Sequence, residues 1–186
     1  MAQTYTARTN GVQAFASNKQ MISIFSLASS GRVCRVYRIW ALNNRTAAVS
    51  NGIVSPIIIQ RLTTAQTTQA GITGGTAITP VSHDSTNESL TDKIACYTAA
   101  TTNYSTVSNS IYRQILVTND EPAAGALTPD EYWCFPEIGE IYCAGYRDSN
   151  IEPITLRAGE GLEVRQPGAN ALGSFQFAIT FTVANS

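Results

Sequence analysis

Lysine and histidine are nearly missing from this chain. Only Lys19 and Lys93 carry an ammonium group, His83 is the one imidazole, and charged residues make up 13% of 186, about half the usual share. Lys+Arg is 12 against Asp+Glu 13, a net charge of −1. A nucleic-acid binder draws most of its affinity from Lys and Arg on phosphates, so no nucleic-acid partner is expected. No apolar run approaches the ~18 residues of a membrane helix. The start MAQTYTARTNGVQ has no basic stretch leading into an apolar one, so neither a secretory signal nor a membrane association is predicted. Disorder is not expected either, because 44% of the residues are hydrophobic and little net charge opposes collapse. A domain of this length buries about 70% of the surface its unfolded chain exposes, enough for a core without staples.

Groupings that carry chemistry are also scarce. His83 stands between Ser82 and Asp84, which invites a Ser-His-Asp reading. Immediate neighbours in an extended segment point to opposite sides, whereas a triad needs the acid behind the ring and the nucleophile in front. Asp84 reads instead as a turn residue. Cys34, Cys96, Cys134 and Cys143 include no C-x-x-C pair, so they lack the close spacing of a structural zinc site. In a reducing compartment they are expected to be core thiols, with a Cys134–Cys143 bridge reserved for an oxidising one. Gly159-Glu160-Gly161 begins like a dinucleotide fingerprint but lacks the third glycine and lies between two strand patterns. The pairs Glu137/Glu140 and Asp130/Glu131 read as solvated carboxylates, since a glycosidase needs two such groups facing each other across a cleft. The sequence therefore predicts no catalytic residue, no cofactor and no metal, and a protein that is not an enzyme.

What is present is alternation. In GSFQFAITFTV, Phe175, Phe177, Ile179, Phe181 and Val183 alternate with Gln176, Ala178, Thr180 and Thr182, the period of a half-buried strand. Residues 21–29 and 32–42 are strand-like runs separated by the turn signal Ser30-Gly31. In the second, alternation puts Val36 and Trp40 opposite Arg35, Tyr37 and Ile39. Residues 52–62 form a further run, in which Pro56 marks an edge or a bulge. Residues 93–99, 111–118 and 140–146 are shorter candidates, and PITLR with GLEVRQ reads as two strands joined by a tight turn at Ala158-Gly159-Glu160. Helix is confined to at most one turn at Thr128-Pro129-Asp130-Glu131. The prediction is an all-β, antiparallel, two-sheet jelly-roll-like β-sandwich over residues 21–186, preceded by a polar N-terminal arm over residues 1–20. Large aromatics dominate the burial energy of cores and interfaces. Trp40, Tyr132, Trp133, Tyr142 and Tyr146 are the candidate interface residues.

The order of segments adds a resemblance. VYRIWALNNRTAAVSNGI, IIIQRLTTA, GGTAITPVSHD, TNDEPAAGALTPDE and the closing GYRDSNIEPITLRAGEGLEVRQPGANALGSFQFAITFTV together resemble the small jelly-roll virion proteins of tailed bacteriophages, the group of capsid decoration or cement proteins. The likeness runs over roughly residues 21–183 and is most specific in the last segment; the cysteines are no part of it. It implies a non-enzymatic protein assembled in the host cytoplasm and displayed in many copies on the phage head. Its partners would be its own copies, as a homotrimer, and the major capsid protein. Scarce lysine and abundant Thr, Ser, Ala and Asn agree with close packing against neighbours. A second expectation is a tail, fibre or baseplate module holding host polysaccharide on its aromatic cluster. A shell subunit that packages RNA is disfavoured, because no Lys/Arg-rich arm is present.

Overall fold

The computed structural model describes residues 2–11, 13–14, 19–43, 53–62, 75–98, 112–118, 140–144, 152–167 and 174–185. Among these, none is helical and thirteen strands form. They are β1 (Gln3–Arg8), β2 (Gln13–Ala14), β3 (Lys19–Ser26), β4 (Arg32–Asn43), β5 (Ile53–Leu62), β6 (Thr76–Ile78), β7 (Val81–Ser82), β8 (Ile94–Thr98), β9 (Tyr112–Thr118), β10 (Glu140–Cys143), β11 (Ile154–Leu156), β12 (Gly161–Gln166) and β13 (Ser174–Asn185). Sheet A has the order β10-β4-β13-β1-β7, with β11 also on β4 and β2 on β13; sheet B has the order β6-β8-β3-β12-β5-β9. Every pairing is antiparallel. The two sheets pack face to face as a β-sandwich, as the alternating sequence predicts.

The interior is built from the apolar member of each alternation. Phe175, Phe177, Ile179, Phe181 and Val183 of β13 are all buried against Cys34, Val36, Ile39 and Ala41 of β4 and against Ile22, Ile24, Leu162 and Val164 of sheet B. Tyr5 stacks on Phe181 with ring centroids 5.9 Å apart. Tyr5 and Ala7 belong to β1, which lies between β13 and β7. Residues 3–8, read from sequence as part of a polar arm, thus form an inner strand of sheet A. TYTAR keeps its threonines outward and offers only Tyr5 and Ala7 to the core, which left its period two too weak to recognise.

Two expectations about strand geometry are corrected. Register in the β4–β13 ladder shifts between Thr180 and Phe181, so Tyr37 is a bulged residue. A bulge reverses the alternation beyond it. Val36 and Ile39 therefore both face the core, while Trp40 joins Arg35 and Tyr37 on the outside. The turn after β11 is also present, with Glu160 N donating to Arg157 O at 2.9 Å and Gly159 at φ 86°. It joins no hairpin: β11 pairs with β4 in sheet A, while β12 pairs with β3 and β5 in sheet B. The expected Ser30-Gly31 turn likewise carries the chain from β3 to β4, with Gly31 at φ 58°. Pro56 sits where β5 pairs with β9 but has run past β12, which suits a residue with no N–H to donate. The single turn expected at 128–131 lies outside the described residues.

Sheet B is buried on both faces at its centre. All six residues of β12 are buried, and Phe25, Leu27, Leu62, Ala95 and Tyr97 form a second apolar cluster on the side away from the sandwich interior. Beside it Glu163, 0% exposed, accepts hydrogen bonds from Gln20 Nε2 at 2.7 Å, Gln60 Nε2 at 2.6 Å and Arg165 Nε at 2.7 Å. Four donors around one carboxylate, counting Arg165 Nη2 at 3.1 Å, satisfy a charge that burial alone would expel.

Candidate interaction surface

The outer face of sheet A is set by alternation in β1 and β13 and by the bulge in β4. Outward residues align across the three strands as Thr4–Thr182–Arg35, Thr6–Thr180–Arg38 and Arg8–Ala178–Trp40. Side-chain contacts agree with this register: Thr6 Oγ1 is 3.0 Å from Thr180 Oγ1 and 2.8 Å from His83 Nε2. The Arg38 guanidinium lies 6.0 Å from the centroid of Trp40, a cation–π separation, and its Nε is 3.6 Å from Glu140. Arg8, Arg35, Tyr37 and Arg38 are exposed. Arg8 and Arg35 have no ion-pair partner among the described residues, which gives the described part of this face an excess of positive charge.

Of the predicted interface residues, Trp40 lies on this face, half-buried beside Arg38. Tyr142 serves a different purpose. Its ring packs on the core, its hydroxyl accepts the Ile154 N–H at 3.1 Å, and burial pushes its phenol pKa up. It ties β10 to β11, the two strands that share β4 as partner. Tyr132, Trp133 and Tyr146 lie outside the described residues. Arg8, Arg35 and Arg38 were not singled out from sequence. Arg35 and Arg38 are three apart, a spacing that shares a strand face only when a bulge intervenes.

The segment around His83 separates rather than assembles. The His83 ring turns to Thr6, Ser82 Oγ accepts from Asn87 Nδ2 at 2.8 Å, and Asp84 Oδ1 accepts from Thr86 N and Oγ1, both at 2.8 Å. Those bonds hold the Asp84 carboxyl below its ordinary pKa, the turn role expected of it. Cys34 and Cys96 are buried thiols whose pKa burial pushes up, and Cys143 is a half-buried free thiol. Cys134 lies outside the described residues. Among the described residues no cluster of three or more His, Cys, Asp or Glu is placed to hold a metal ion.

Where β11 flanks β4, the same face falls into an open groove of about 620 Å³. Arg35 stands opposite Thr155 in the ladder, and Tyr37, Arg61, Glu152, Arg157 and Glu160 complete the walls. Glu160 is already engaged: its Oε2 accepts the Arg157 backbone N–H at 2.7 Å and lies 3.5 Å from Arg61 Nη1. Compared with family models, curated proteins and solved structures, the chain matches none.

Proposed function

We propose that this chain is a non-enzymatic virion structural protein, a capsid decoration protein that binds the outside of a phage head between capsomers and stabilises the shell. The observation that carries the reading is the outer face of sheet A, where Arg8, Arg35, Arg38, Tyr37 and Trp40 stand on a threonine-lined platform. Arginine and large aromatics are the residue types that anchor protein interfaces, and lysine is depleted there. The backbone of the platform is held because β4 and β13 pair over almost their whole length, so the ordering cost of docking falls on the exposed side chains rather than on the strands. The segment order over residues 21–183 supports the same reading.

A shell under internal pressure fails at the junctions between capsomers. A homotrimer engaging several capsomers at once holds such a junction with modest contacts per subunit, because each contact raises the effective concentration of the next. The test is thermal rupture of purified heads with and without the protein, followed by DNA release. Heads lacking it are expected to open at a lower temperature, and their stability is expected to return when the purified protein is added back. Identical rupture temperatures would end the proposal.

A further inference from the structure

The groove that runs over the paired strands β4 and β11 to Arg61 of β5 has features that docking to a capsid does not require. Its walls hold both signs of charge, a phenol ring and a hydroxyl, in a volume suited to a few sugar rings. Once Glu160 is assigned to Arg61 and to the Arg157 backbone, three charged groups are left. Arg35, Arg157 and Glu152 are exposed, and none has an ion-pair partner among the described residues. Tyr37 is 36% exposed beside them because the bulge turns it out of the ladder.

We propose that this groove binds an acidic oligosaccharide, a chain of sugars that carry ring carboxylates. The two guanidinium groups meet carboxylate oxygens with paired N–H donors. Glu152 accepts sugar hydroxyls, and the Tyr37 ring offers an apolar face to the C–H side of a pyranose. Glu152 repels any carboxylate brought against it, so the site suits a ligand that sets hydroxyl donors beside its charges, as a uronate does and a bare phosphate does not. Arg35 and Tyr37 also stand on the proposed docking platform, so the assignment concerns the free chain, and titrating the free chain tests it separately from the capsid reading.

The test is isothermal titration of the purified full chain with hexagalacturonate, with neutral maltohexaose and with a hexaglutamate peptide. Hexagalacturonate is expected to bind about tenfold more tightly than either of the others, and binding is expected to weaken with added salt. Arg35→Ala and Arg157→Ala each weaken it about tenfold, while Arg8→Ala, on the same sheet face but outside the groove, leaves it unchanged. Both groove arginines are exposed and have no ion-pair partner among the described residues, so the variants are expected to keep the fold, which the unfolding midpoint verifies. Absence of hexagalacturonate binding would overturn the assignment. So would equal binding of hexaglutamate, or a loss with Arg8→Ala as large as with Arg35→Ala.

Discussion

Glu88 shows how single side chains fasten the end of the sandwich. Its carboxylate accepts Arg32 Nη2 at 2.8 Å and pairs with Lys93, while its backbone carbonyl accepts the Tyr5 hydroxyl at 2.8 Å. The Lys93 hydrogen bond, helped by the charge of Arg32, holds this carboxyl below its ordinary pKa of 4.5. A carboxyl depressed on folding stabilises the native state fully above the unfolded value and loses that contribution as pH falls through the folded one. Glu88→Gln is therefore expected to cost up to about 1 kcal/mol near neutral pH, since the side chain is 30% exposed and solvent weakens the pairs. The deficit should vanish in acid below the folded pKa. Urea unfolding across that range measures it, and a deficit unchanged with pH would contradict the assignment. Glu163 is the buried counterpart. Arg165→Met leaves its carboxylate short of a countercharge at 0% exposure, with an expected loss of about 3–5 kcal/mol. A double-mutant cycle with Glu163→Leu should show strong coupling, and additive losses would mean that the two groups do not act as a pair.

At the scale of elements, Gly161 illustrates a constraint that no motif announces. A Cβ there would lie 2.6 Å from Phe25 Cε1, closer still to Cδ1, and 3.3 Å from Leu62 Cβ. The first residue of β12 must be glycine so that the Phe25 ring can cross it. Gly161→Ala is expected to lower stability by about 1–3 kcal/mol, and Phe25→Leu in the same chain to recover part of that loss in the same unfolding assay. The glycine was visible in sequence at the head of GLEVRQ, but the reason for it was not, because the ring that needs its space comes from β3. The same division runs through the fold. β13 was legible because five large apolar residues alternate without interruption. Tyr37 as a bulge, and the passage of β11 to β12 between sheets, were not, because both depend on which strand lies alongside. Trp40 could be nominated from its size alone. That it shares a face with Arg8, Arg35 and Arg38 depended on the extra residue in β4.

For the whole molecule, stability and binding should come from opposite faces of sheet A. Phe177, 0% exposed inside the sandwich, is expected to cost about 3–5 kcal/mol when truncated to alanine. Trp40 and Arg38 on the outer face carry little of the core. The double variant Trp40→Ala/Arg38→Ala is expected to unfold within about 1 kcal/mol of the parent yet to bind purified heads at least tenfold more weakly, if those side chains anchor docking. Co-sedimentation with heads lacking the protein separates the two effects. Unchanged sedimentation would remove the outer face of sheet A as the docking surface. The most direct check on the capsid reading is to look for this chain in purified phage particles and count its copies by quantitative mass spectrometry. A cement role predicts many copies in a fixed ratio to the major capsid protein; a handful per particle, or none, would contradict it.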